Sequence, residues 1–244
     1  IGAEASALSV HSWMEVGEEQ LLILGELLAR REKGEPLQYI LGEWEFMGLP
    51  FAVDERVLIP RQDTELLCET ALERIRNNGY KDVLDLCTGS GCLAVAIQKL
   101  AGVNVAASDN SADALAVANA NAQYHDAPVT FFESDLFLNV PGDYDLIVCN
   151  PPYLSGPDME HLQTEVTFEP AAALFGGADG LDYYRRIAKD YPPHLRPGGT
   201  LLLEIGSTQA DGAAALFGAG TRILNDLNGL PRVLIVEGAK STDI

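Results

Sequence analysis

No apolar run in the sequence approaches the roughly 18 to 20 residues that a helix needs to cross a bilayer, and no short apolar segment with a basic flank opens it. A membrane span is therefore not expected; a cytoplasmic protein is. Cysteine is scarce: Cys68, Cys87, Cys92 and Cys149 lie in or beside apolar segments and never in the close pairs that zinc sites favour. Buried free thiols and no metal are the expectation. Positive charge is the third shortage. With 16 Lys and Arg against 36 Asp and Glu, the net charge of −20 repels a phosphate backbone, which disfavours nucleic acid as a direct partner. Repeats and low-complexity segments are missing too.

What remains is a chain of 244 residues, 47% of them apolar, enough for one good-sized core and a small appendage. It opens at Ile1 and not at a methionine, which points to a fragment or to segments joined across a gap. Residues 1–16 show weak periodicity. In "GEEQLLILGELLARREKG", Leu21, Leu24, Leu27 and Leu28 recur at helical spacing until Gly34 and Pro36 end the pattern, so an amphipathic helix is expected. "WEFMGLPFAV" alternates bulky apolar residues around Gly48 and Pro50 and reads as a short hairpin.

Beyond about Thr64 the pattern becomes strand and helix in alternation. Strands are expected at 82–86, 103–108, 129–133, 144–150, 200–206 and 232–238, with helices in "CLAVAIQKLA", "SADALAVANANAQYH" and "LDYYRRIAKDY". The expected architecture is α/β, a Rossmann-like parallel sheet with crossover helices on both faces.

"VLDLCTGSGCLAVAI" places a glycine turn, Gly89 and Gly91, between an apolar strand and a helix. Such a turn lets a ligand approach the backbone and presents free helix N–H groups to it. Ala94 completes a G-x-G-x-x-A pattern, so a dinucleotide site is one reading and a mere tight turn another. Asp109 follows at the distance where a carboxylate accepts both ribose hydroxyls; its alternative role is a helix cap, which Ser111 can fill instead. Asp85, just before the turn, would crowd a pyrophosphate but suits a cationic amino acid moiety. Together these residues favour S-adenosylmethionine over NAD as the cofactor.

The apolar run "YDLIVCN" ends abruptly in "PPYL". At the carboxyl edge of an α/β sheet that corner faces the ligand crevice. Pro151 and Pro152 fix φ and supply no N–H, and Asn150 is pushed extended by the proline after it. The Asn150 amide oxygen and the Pro151 carbonyl are thus placed to accept both hydrogens of one planar NH₂, with the Tyr153 ring beside it. That arrangement orients a weakly nucleophilic nitrogen toward a sulfonium methyl without a general base.

These residues resemble the amino-methyltransferases that carry Asn-Pro-Pro-Tyr, and the segments at 34–67, 83–91, 150–154, 168–187 and 195–206 resemble the HemK/PrmC family. The resemblance implies methylation of the side-chain amide (N5) of the glutamine in the Gly-Gly-Gln motif of peptide-chain release factors, the expected protein partner. It also implies cofactor contacts from Cys87, Thr88, Gly89, Ser90, Gly91, Asp109 and Leu136, to which Asp85, Asn110, Asp135, Asn150 and Arg61 are added. Asn150, Pro151, Pro152 and Tyr153 would hold the substrate, with Asn150, Pro151 and Tyr153 catalytic. The family usually has glycine at Cys87, an aromatic residue at Leu136, Pro-Glu at Gln62 and Asp63, and a longer helical region before "PLQYILG". The expected organisation is an N-terminal helical region, 1–35, shorter than in the family; a hairpin connector, 36–60; and a methyltransferase domain, 61–244. A monomer is expected. Two other functions fit the same corner: an adenine N6-methyltransferase acting on DNA or RNA, and a protein that binds the nucleoside without catalysis.

Overall fold

A computed structural model describes residues 17–218 and 220–239; the weakly periodic stretch 1–16 lies outside the described residues. The first helix, α1 (Glu18–Glu32), carries Glu18 and Glu19 in its first turn and Arg30 and Arg31 in its last, a charge order that complements the helix dipole. The expected helix is present, but none of its residues is buried among the described residues. Leu21 and Leu28 of the predicted stripe are more than half exposed. A short helix, α2 (Leu37–Leu41), then leads into an antiparallel hairpin of β1 (Glu43–Phe46) and β2 (Leu49–Ala52), where the sequence places it.

The alternation that follows runs α3 (Gln62–Asn78), β3 (Asp82–Leu86), α4 (Cys92–Ala101), β4 (Asn104–Asp109), α5 (Ala112–Tyr124), β5 (Val129–Glu133) and β6 (Tyr144–Cys149). A long connection follows, containing α6 (Gly156–Met159), a 3₁₀ turn at Thr164–Phe168 and α7 (Ala171–Leu174). The described residues end with α8 (Asp182–Asp190), β7 (Leu195–Glu204), α9 (Ala210–Phe217), β8 (Arg222–Asn225) and β9 (Pro231–Glu237). Seven strands form one sheet in the order β5-β4-β3-β6-β7-β9-β8.

The expected all-parallel sheet needs correction at one edge. β3 to β7 are parallel, but β9 runs antiparallel to β7 and to β8, a strand the sequence reading missed. The reason is a tight turn: Asp226 accepts hydrogen bonds from the N–H groups of Asn228 and Leu230, so β8 and β9 form a hairpin without a crossover helix.

Period-two alternation divides the core. Val83, Val105, Leu146, Val148 and Leu202 face α3 and α4 together with Leu67, Ala71 and Val95. Leu84, Leu86, Ile147, Cys149 and Leu203 face Tyr184 and Ile187 of α8. Ile147 is fully buried, and truncating such a side chain to Ala typically costs about 2–5 kcal/mol. The same parity puts Asp85, Asn150 and Glu204, at the carboxyl ends of β3, β6 and β7, on the α3 side. The chain runs from β3 outward to β5 and returns to β6 on the other flank of β3, opening a crevice at this switch point.

The hairpin is sewn to this crevice by Asn121 of α5. Its Oδ1 accepts from the Ala52 N–H (2.8 Å), and its Nδ2 donates to the carbonyls of Ala52 (3.1 Å) and Ser90 (2.8 Å). Three bonds satisfy a side chain that is otherwise buried.

Candidate active site

The loop after β3 turns on positive φ at Cys87 (56°), Gly89 (53°) and Gly91 (79°). A Cβ on Gly91 would stand 3.0 Å from Ala118 Cβ, so glycine also permits the close packing of this turn against α5. Cys87 holds its left-handed conformation without being glycine, a strained choice at the pocket wall. Asp109 closes the turn from β4: Oδ2 accepts from the Gly89 N–H (2.9 Å) and Oδ1 from the Ser111 N–H (3.0 Å). Burial pushes its carboxyl above the ordinary range, and the N–H groups of Ser111, Gly89 and Asn110 pull it back. Ser111 itself caps α5, accepting from the Ala114 N–H at 3.1 Å.

A cavity opens over this turn. Cys87, Gly89, Asp109, Asn110, Asp135, Leu136, Asn150 and Pro152 line it, all of them singled out by sequence. Asp85, Thr88, Ser90 and Gly91 do not. Asp85 is fully buried beneath the turn, where Thr88 Oγ1 donates to its Oδ2 (2.6 Å) while Oδ1 has no hydrogen-bond partner among the described residues; burial raises its carboxyl to about 7. It supports the floor of the cavity. The roof comes from residues that sequence reasoning missed: Arg56, Val57 and Leu58 after the hairpin, Pro170, Ala172 and Ala173 around α7, and Tyr183 of α8.

A second cavity lies on the other side of the corner, lined by Arg61, Pro151, Tyr153, Leu154, Val166 and Glu204. Leu58, Asn150 and Ala173 belong to both walls. Asn150 therefore stands where the two cavities meet. Its Nδ2 donates to Thr64 Oγ1 (3.1 Å), while neither its Oδ1 nor the Pro151 carbonyl receives a hydrogen bond from the described residues. Burial pushes the Tyr153 hydroxyl up to about 12, so it stays protonated.

The corner is clamped from behind. The Leu154 N–H donates to the Leu174 carbonyl and the Gly176 N–H to the Leu154 carbonyl, both at 2.8 Å. Gln209 Nε2 donates to the carbonyls of Tyr153 (2.8 Å) and Gly180 (3.2 Å). A Cβ on Gly176 would stand 2.7 Å from the Pro152 carbonyl oxygen, which explains the glycine. In front, Glu169 takes the Ile59 N–H on Oε2 (3.0 Å) and pairs through Oε1 with Arg61, joining the segment before α3 to the one before α7.

Known proteins are similar to this chain in sequence and fold. The model of a Methyltransferase small domain matches residues 62–177, and that of a PrmC N-terminal domain matches residues 1–42. The release factor glutamine methyltransferase of Geobacter sulfurreducens is 45% identical over 96% of this chain and 84% of its own length. This chain belongs to the release factor glutamine methyltransferase family. A second relative of that name, from Koribacter versatilis, is 43% identical over 89% of this chain and 79% of its own. The fold extends beyond the family: a methyltransferase from Pyrococcus furiosus, 16% identical, superposes with a TM-score of 0.59 over 80% of this chain and 91% of that one. The chain is thus a methyltransferase built on a mostly parallel sheet.

Proposed function

We propose that the protein transfers a methyl group from S-adenosylmethionine to the side-chain amide nitrogen of the glutamine in the Gly-Gly-Gln motif of peptide-chain release factors. The observation that carries this reading is Asn150 at the junction of the two cavities, with two acceptor oxygens, its own Oδ1 and the Pro151 carbonyl, uncommitted.

The cavity over the glycine turn fits the cofactor. Asp109 offers a carboxylate whose oxygens each keep acceptor capacity beyond one backbone bond, and Leu136 and Tyr183 supply apolar walls. Bound S-adenosylmethionine supplies an electrophilic sulfonium methyl, from which a C–N bond forms as the C–S bond breaks and sulfur keeps the electron pair. The protein's share is positioning and charge. An amide nitrogen is a poor nucleophile because its lone pair is delocalised. Asn150 Oδ1 and the Pro151 carbonyl hold its two hydrogens, turn the nitrogen toward the methyl and stabilise the positive charge that develops on it. One of those hydrogens then leaves to water. Tyr153, in the second cavity, packs beside the amide plane. Arg61, tied to Glu169, lines the same substrate side.

A protein substrate suits the surface better than nucleic acid does, because a net charge of −20 repels a phosphate backbone. The test is incubation with labelled S-adenosylmethionine and, in parallel, purified release factor, its Gln-to-Ala version in the Gly-Gly-Gln loop, and duplex DNA. Label on the first alone is the expected result. Label on DNA, or equal label on both release factor versions, refutes the proposal.

A further inference from the structure

Glu204 is fully buried at the end of β7, and neither the cofactor nor the two acceptors at the corner explains it. An unexplained buried carboxylate is costly; an apolar side chain of similar volume would hold α3 to the sheet as well or better. Its neighbours give it a direction. Thr64 Oγ1, in the first turn of α3, lies 2.7 Å from Glu204 Oε2 and 3.1 Å from Asn150 Nδ2. The other oxygen, Oε1, is buried without a partner among the described residues, and Glu204 lines the cavity that Pro151 and Tyr153 also line.

The polarity of this chain follows from counting protons. A carboxylate only accepts, and a threonine hydroxyl has one hydrogen. Ionised Glu204 therefore takes the Thr64 hydrogen, leaving Thr64 Oγ1 as an acceptor toward Asn150. Only the NH₂ end of the Asn150 amide can satisfy it, so Oδ1 must point the other way. Without this constraint the two ends of an amide are nearly equal in shape, and half of the orientations would offer a substrate NH₂ a donor.

We infer that Thr64 and Glu204 are positioning residues for methyl transfer, a relay that locks the Asn150 amide with its oxygen toward the substrate nitrogen. The inference rests on the role given to Asn150 above. It also accounts for two stretches of the family resemblance, "IPRQDTE" and "LLLEIG", which supply the two residues from opposite ends of the domain.

The relay is sensitive to protonation. Burial raises the Glu204 carboxyl to about 7, opposed by the Thr64 hydrogen bond and by Arg232 and Arg61; Asp63 raises it further, and the buried hydroxyls of Tyr153 and Tyr184 stand nearby. Protonated Glu204 can donate to Thr64, which frees the Thr64 hydrogen and lets Asn150 turn over.

The experiment uses the full chain with Thr64→Val, Thr64→Ser and Glu204→Gln, each checked by thermal unfolding and by calorimetry with S-adenosylmethionine. Thr64→Val is expected to lower kcat by about tenfold, the worth of one oriented hydrogen bond, with cofactor affinity and KM within about twofold. Thr64→Ser restores the rate. The wild-type kcat falls as pH drops through about 7, and Glu204→Gln removes that limb. A structural staple would move none of these in that pattern. The second readout is the side-chain amide ¹⁵N–¹H pair of Asn150, expected to exchange faster with solvent in Thr64→Val than in the wild type. Unchanged kcat together with an unchanged Asn150 amide overturns the relay. If the wild type fails to methylate release factor, the proposed function fails separately and the amide signal alone decides the relay. Should Thr64→Val not fold, Thr64→Ala takes its place.

Discussion

The two cavities that meet at Asn150 are built by opposite means. The one over the glycine turn stands on backbone: a turn with three positive φ values, and a carboxylate that binds N–H groups 20 residues back and two residues forward in the chain. The one behind it stands on side chains gathered from far apart. Thr64 and Asn150 are 86 residues apart, and Thr64 and Glu204 140. A binding site for a common cofactor can be made from a local motif, whereas the orientation of one particular nucleophile needs supports drawn from across the fold.

The sharpest way to break this contrast is Asn150→Ala. If the corner serves the nucleophile alone, transfer falls by about 10²–10³-fold, the scale of losing one preorganised polar contact, while S-adenosylmethionine affinity measured by calorimetry stays within about tenfold. Lost cofactor binding would merge the two halves. Asp109→Ala is the complementary cut. Cofactor affinity is expected to weaken by about 10–100-fold, as for hydrogen bonds to a charged group, with kcat at saturating cofactor much less affected.

Each cavity also rests on one buried carboxylate, Asp85 under the turn and Glu204 behind the corner, both raised by burial to about 7 from ordinary values of 3.8 and 4.5. A raised folded-state value stabilises the protein fully below the ordinary range and loses that contribution as pH rises through about 7. The thermal midpoint is therefore expected to fall between about pH 5.5 and about pH 8, by several degrees, and Asp85→Asn should flatten the fall. A midpoint that rises over this interval would mean the two carboxylates are ionised at little cost. The smallest effect is expected at Arg31, whose exposed pair with Glu165 ties α1 to the 3₁₀ turn. Arg31→Ala should leave both the midpoint and cofactor affinity unchanged, since exposed ion pairs contribute little.

What the sequence revealed divides along the same line. Asp109, Gly89 and Asn150 stood out because strand, turn and helix follow one another and these residues sit at fixed offsets from them, whereas Leu136 came from the family resemblance alone. Thr64 reads as an ordinary helix residue, and Glu204 as one polar position in a strand. Only the strand order β3-β6-β7, with α3 packed across it, brings them to Asn150. Arg56 to Leu58 gave no periodic signal at all, being an irregular segment placed by the hairpin before it. β8 was missed because it is four residues long and largely exposed at a sheet edge, although Asn228-Gly229 beside it is a hairpin signal. That unread hairpin also reverses β9, which apolar patterning alone cannot orient.

Asn121 joins the hairpin to the glycine turn through a single side chain, and the segment beyond the hairpin roofs the cavity over that turn. The boundary that the sequence suggests near residue 60 is therefore not a place where the molecule can be divided. A protease cut between β2 and α3 would open the cofactor's enclosure instead of releasing a self-sufficient catalytic unit, and bound cofactor should in turn shield that peptide from cutting.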